Sequence, residues 1–270
     1  MNKIRFLVPQ PAKPQPDFPL FVYLPGMDCT GKLFQVQAKR LAHFFDLRCL
    51  SIPSDDLSDW NKLAGDTVKL ITSELAINQQ RSVYLCGESF GGCLALKVAM
   101  MAPWSIQRLI LVNPASSFHH RPWLGWGVRI IQWLPSVLHH YSAVGLLPFL
   151  AELSRIAQSD YRALLRAMNS VPQQVVSWRL SLLRDFETDE GNLRRLTQPT
   201  LVVAGGADRL LPSVAEAQRL VNILPQAQMK ILPLSGHACL LESETNLQNI
   251  LAEYNFLPLE IAELPREKAV

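Results

Sequence analysis

Six short apolar runs, at 20–24, 47–52, 83–86, 109–112, 200–204 and 229–232, limit what this chain can fold into more than any other feature. Each is too short for a buried helix and mostly apolar at both odd and even positions. A strand needs that pattern when helices cover both faces of its sheet. Between the runs lie longer segments with helical spacing, at 33–45, 63–76, 91–101, 214–223 and 247–254. The alternation predicts an α/β protein with one central, mainly parallel sheet. The stretch 119–196 breaks the rhythm, with several helix-like patterns and no convincing strand. It reads as a helical cap inserted over the sheet, leaving 1–118 and 197–270 as the core.

A chain of 270 residues can bury roughly three quarters of its unfolded surface around one core, so neither disulfides nor metals are required for stability. The five cysteines are odd in number and form no C-x-x-C pair, which argues against a disulfide framework or a zinc site and points to a reducing compartment. With 26 basic against 23 acidic side chains, the chain lacks the charge excess of a nucleic-acid binder. The apolar run at 6–8 is too short for a signal-peptide core, and no uncharged apolar stretch reaches the roughly 18 residues of a membrane span. A cytoplasmic location is expected.

The sequence Gly87-Glu88-Ser89-Phe90-Gly91 sits where the run 83–86 must turn into the helical segment 91–101. Glycines on either side of a serine suit a sharp, crowded turn that lifts the hydroxyl above the sheet edge. A serine hydroxyl is a weak nucleophile at neutral pH and needs a base, which in turn needs an acid to orient it. Of the six histidines, His43 falls in a helical pattern and four lie in the insertion. His237, in the loop after the last strand run, is left as the base. Asp208 follows another strand end across Gly205 and Gly206 and is the expected acid. An aspartate in such a place can also cap a helix, and a loop histidine can be merely solvated; three such residues, each after its own strand, favour catalysis. The oxyanion of an acyl-transfer reaction needs two donors, expected from the N–H of Phe90 and, in the loop after 20–24, of Met27. Asp28 either caps the following helix or braces that loop. No cofactor or metal is called for.

The chain resembles the α/β-hydrolase superfamily in the order Ser, Asp, His. "YLPGMDCTGKLF", "LCGESFGGCLALKVAM" and "LVNPASSF" together are similar to its esterase, lipase and thioesterase group, which includes plastid phytyl ester synthases. The resemblance implies the α/β-hydrolase fold and acyl-ester chemistry on lipid-like substrates, including acyl transfer to an alcohol such as phytol or a diacylglycerol. It also places a glycine where this chain has Cys29.

In the insertion, Trp123, Trp126, Ile130 and Trp133 recur at three- and four-residue spacing and form one apolar helical face. That face either packs the cap on its own domain or receives an acyl chain or a lipid surface. Between 119 and 180 stand six arginines, two acidic residues and no lysine, so contact with anionic headgroups and ordinary solvated arginines both remain open. The pairs His119/His120 and His139/His140 suggest a metal, but neighbours on a helix point apart and no other ligands cluster beside them.

The expected function is hydrolysis of small hydrophobic esters through an acyl-enzyme on Ser89, with acyl transfer to a hydrophobic alcohol as the alternative. A non-catalytic binding module would have no reason to keep all three residue types. A peptidase would need acidic groups for a substrate amine, which the insertion does not favour. An epoxide hydrolase or dehalogenase would carry aspartate at position 89.

Overall fold

A computed structural model describes residues 3–78, 81–120, 145 and 147–258. Seven strands form one sheet in the order β1-β3-β2-β4-β5-β6-β7. They are β1 (Arg5–Leu7), β2 (Leu20–Leu24), β3 (Asp46–Ser51), β4 (Val83–Glu88), β5 (Arg108–Val112), β6 (Thr200–Gly205) and β7 (Ala227–Leu232). All neighbouring pairs are parallel except β1 with β3. The six expected strands are present to within two residues at each end. β1 was not expected: three residues, Arg-Phe-Leu, are too few to show a period, and the strand exists because it pairs with the exposed edge of β3.

The alternation of side chains explains why the strand runs look apolar throughout. Leu20, Val22, Leu24, Leu85, Leu109, Leu111 and Val202 point into one core layer, while Phe21, Tyr23, Tyr84, Cys86, Ile110 and Val203 point into the other. The first layer packs on α2 (Trp60–Leu75) and α3 (Phe90–Met101), and the second on α1 (Gln35–Leu41) and, at the far end of the chain, on 247–253. β7 departs from the expectation. As an edge strand it is half exposed, and Lys230 at its centre pairs with Glu253 at 2.7 Å.

The helical pattern at 33–45 is shorter in the structure. A single 3₁₀ turn, Lys32–Phe34, leads into α1, which ends at Leu41, so His43 lies beyond the helix. Phe45 keeps the spacing but packs against Phe21 and Tyr84, with centroids 5.1 and 4.9 Å away, at the entry to β3.

Between β5 and β6 the described elements are helical: α4 (Gln158–Asn169), α5 (Gln173–Arg184) and α6 (Glu190–Leu193). Leu180, Leu182, Leu183, Phe186, Leu193 and Leu196 join the first core layer. The indole of Trp60 ties α2 to α5 by donating to the Leu182 carbonyl at 3.0 Å. Among the described residues no helix is long and apolar enough to cross a membrane. All five cysteines are buried and unbridged, and burial pushes their thiols up, that of Cys29 to about 12.

Candidate active site

The carboxyl ends of β2, β4, β5, β6 and β7 share one edge of the sheet, and the loops leaving them converge on Ser89. The residue sits between β4 and α3 with φ 54° and ψ −114°, in the left-handed half of conformational space that side chains other than glycine rarely enter. Its backbone is clamped from both sides. Ser89 N–H donates to the Val112 carbonyl at 3.0 Å, and its own carbonyl accepts from Gly92 at 2.9 Å and Ala115 at 3.1 Å. The turn is tight because glycines permit it. A Cβ on Gly87 would lie 2.2 Å from the Gly91 carbonyl oxygen, and one on Gly91 would lie 2.0 Å from that of Leu24.

His237 bridges the other two expected residues. Its Nε2 stands 2.8 Å from Ser89 Oγ and its Nδ1 2.7 Å from Asp208 Oδ2. In the neutral ring, Nδ1–H donates to the carboxylate, which leaves Nε2 free to accept the serine proton. The side chains of His237 and Asp208 are 5% and 1% exposed. Asp208 does not cap the next helix. Its Oδ1 accepts from the backbone of Leu210 and Leu211, and its Oδ2 also accepts from the Ser213 hydroxyl, so every lone pair has a use. Burial alone would raise its pKa, but His237 and these donors hold it below the ordinary carboxylate value. For His237, burial alone would lower the pKa; the Asp208 carboxylate beside it outweighs that and raises it, and Glu88 adds to the effect.

Phe90 opens α3, so its N–H belongs to the group that has no acceptor within the helix. Met27 lies in the loop after β2, where Cys29 N–H closes a turn on the Gly26 carbonyl at 2.9 Å. A Cβ on Gly26 would touch Ser89 Cβ at 3.8 Å, which sets this loop against the serine. Asp28 braces the loop by accepting from the N–H and hydroxyl of Thr30; the residue before the next helical turn is Gly31. Cys29 has φ 56°, a conformation that costs glycine least, at the position where the resemblance places a glycine.

Three further side chains at this site went unrecognised in the sequence. Glu88, the first variable residue of the G-x-S-x-G turn, is half-buried; its carboxyl accepts from the Tyr23 hydroxyl, and desolvation pushes it up to about 7. Arg179 of α5, 2% exposed, donates to the carbonyls of Met27 at 2.7 Å and Pro53 at 3.3 Å. Asn113, fully buried, follows β5. Arg179 was one of several arginines in an amphipathic segment, with nothing to mark it. Asn113 did carry a signal: asparagine directly after a strand and before proline is a residue type that tolerates left-handed backbone. Trp123, Trp126 and Trp133, with His139 and His140, lie outside the described residues, as do the side chains of His119 and His120.

Comparison with known proteins shows the family and the fold. The family model Hydrolase_4, described as serine aminopeptidase, S33, matches residues 54–244. Phytyl ester synthase 1, chloroplastic, of Arabidopsis thaliana is 30% identical over 263 residues, covering 89% of this chain and 37% of that protein. The chain therefore spans little more than a third of the length of that plant relative. A pimeloyl-[acyl-carrier protein] methyl ester esterase of Vibrio campbellii is 28% identical over 82% of this chain and 88% of its own. A solved hydrolase structure from Oleispira antarctica superposes with a TM-score of 0.71 at 15% identity, over 97% of this chain and 94% of that one, a likeness of fold.

Proposed function

Because the chain belongs to the serine aminopeptidase S33 family of α/β-hydrolases, we propose that it is a serine esterase that cleaves hydrophobic carboxylic esters through an acyl-enzyme on Ser89. The contact of His237 with both Ser89 and Asp208 carries this reading. As Ser89 Oγ attacks the ester carbonyl, Nε2 of His237 takes its proton, and Asp208 stabilises the resulting imidazolium through Nδ1–H. The N–H groups of Phe90 and Met27 hold the carbonyl oxygen as it becomes anionic. The imidazolium then returns the proton to the leaving alcohol. Water, activated by the same histidine, releases the acid.

A second reading is favoured by the similarity to a phytyl ester synthase over 89% of the chain. A hydrophobic alcohol in place of water would give a new ester with the same residues. The test is a panel of p-nitrophenyl esters from acetyl to palmitoyl, each run with and without a long-chain alcohol. Each methylene seated in an apolar pocket adds up to about 0.8 kcal/mol until the pocket is full, so kcat/KM is expected to climb with chain length. Trp126→Ala and Trp133→Ala are expected to flatten that climb while sparing acetyl turnover. A wild-type preference for acetyl rules out the lipid-like substrate class. Ester formation in the alcohol arm selects transfer over hydrolysis. The proposed setting is the cytoplasm, with 119–196 as a cap that meets substrate or a membrane surface.

The electrostatics give the pH dependence. His237 must be neutral to accept a proton, and Asp208 and Glu88 both favour the charged ring, so kcat/KM should rise with pH through a midpoint above histidine's ordinary 6.5. Glu88→Gln keeps an acceptor for Tyr23 but removes the charge, and is expected to lower the midpoint. A midpoint that does not move in the pH–rate profile of Glu88→Gln would remove Glu88 from the account.

A further inference from the structure

Asn113 occupies the gap between two loops that carry functional side chains. Its backbone has φ 42°, and its N–H extends the β5–β6 pairing by donating to the Val203 carbonyl at 2.9 Å. The side-chain oxygen accepts from Gly205 N–H at 2.7 Å, three residues before Asp208. The side-chain nitrogen donates to the carbonyl of His237 itself at 2.6 Å and to that of Gly236 at 3.2 Å. The same nitrogen also lies 3.5 Å from Cys239 Sγ, and its two shortest contacts and the carbonyl bond are to main-chain groups at the end of β6 and in the base loop, with no exposure to water. On its other side the base loop is held by Glu242, which accepts from Gly236 N–H at 2.8 Å and from Arg155 at 2.8 Å.

We propose that Asn113 is a positioning residue of this active site: its amide locks the His237 loop to the end of β6, fixing the distance at which the imidazole meets both Asp208 and Ser89. The proposal rests on the esterase reading for its catalytic consequence, but not for its geometry. The two loops are far apart in sequence and both lie at strand ends, where backbone groups lose their sheet partners. One buried amide satisfies groups on both, so the loops cannot shift independently without stranding polar atoms away from water. A displacement of about 1 Å between reacting groups can cost on the order of 100-fold in rate.

The test compares Asn113→Gly with Asn113→Ala. Glycine keeps the left-handed backbone and removes the amide; alanine removes the amide and strains the backbone as well. Both are expected to lower kcat for a short p-nitrophenyl ester by about 10- to 100-fold with KM unchanged. In both, NMR titration of the His237 imidazole is expected to move down from its wild-type position towards an ordinary histidine. The charges facing that ring, Asp208 from the loop after β6 and Glu88 from β4, are untouched, so the shift reports their alignment. If Asn113→Gly keeps wild-type kcat and titration while Asn113→Ala loses them, the backbone conformation alone matters and the proposal is overturned. Should alanine prevent folding, the glycine variant decides. If wild-type protein cleaves no ester and Ser89 resists a fluorophosphonate, the esterase reading falls, while the imidazole titration still decides the role of Asn113.

Discussion

Replacing Ser89 with alanine is expected to abolish covalent labelling by a fluorophosphonate probe and to lower kcat for ester cleavage by about 10⁴- to 10⁶-fold. The size follows from the chemistry. Without the hydroxyl there is no acyl-enzyme, and only the oxyanion donors and substrate binding remain to help a water molecule. His237→Ala is expected to cost about as much, since an unassisted serine hydroxyl is scarcely nucleophilic at neutral pH. Asp208→Asn should cost slightly less, about 10⁴-fold, because the ring stays in place but loses its preferred tautomer and the charge that stabilises it. These losses should not add: the double variant Ser89→Ala/His237→Ala should be no slower than the worse single one. Circular dichroism and melting must show each variant folded. Stoichiometric labelling of Ser89→Ala would place the nucleophile elsewhere, and full activity in Asp208→Asn would give the acid role to another carboxylate.

The largest stability effect is expected from Gly91→Ala. The added Cβ would lie 2.0 Å from the carbonyl oxygen of Leu24 and 2.5 Å from that of Pro25. Both are backbone atoms at the end of β2, which is held between β3 and β4, so no flexible side chain can yield. Relief requires moving the start of α3, whose Phe90, Cys93 and Leu94 are buried in the core. We expect a loss of about 4 kcal/mol or more and a fall in Tm of about 10 °C or more. Because the collision also displaces the Pro25 side of the loop proposed to hold the oxyanion, the folded fraction should lose kcat. Gly65→Ala in α2 is the control: its nearest neighbour would be Met101 Sδ at 3.9 Å, so it should be neutral or mildly stabilising. A melting curve of Gly91→Ala that overlays the wild type would contradict the packing described at the turn.

The sheet was legible because five of its strands are covered on both faces, which leaves unbroken apolar runs. β1 was not legible, since its stability comes from pairing with β3 and not from its own three side chains. The end of α1 was misplaced because the aromatic ring of Phe45 continues a helical spacing while serving the next strand. Ser89, Asp208 and His237 could be read because each follows its own strand and each is a residue type that the chemistry demands. The side-chain roles of Asn113 and Arg179 could not, although the residue type and place of Asn113 hinted at its backbone. Their shortest hydrogen bonds go to main-chain carbonyls and N–H groups, which every residue offers, so no pairing of side-chain types announces them.

The burial of the five cysteines carries a consequence outside catalysis. Only a thiolate attacks an alkylating reagent readily, and here shielding from solvent is reinforced by thiols whose acidity is suppressed by the same apolar surroundings. Cys29 lies in the loop beside Ser89, Cys93 in α3, Cys86 in β4, Cys49 in β3 and Cys239 just after His237. Together they sample both core layers of the sheet. Alkylation followed cysteine by cysteine is thus a clock for breathing of the native state: the order in which the five sites react would rank how readily each layer opens, with no label introduced into the chain.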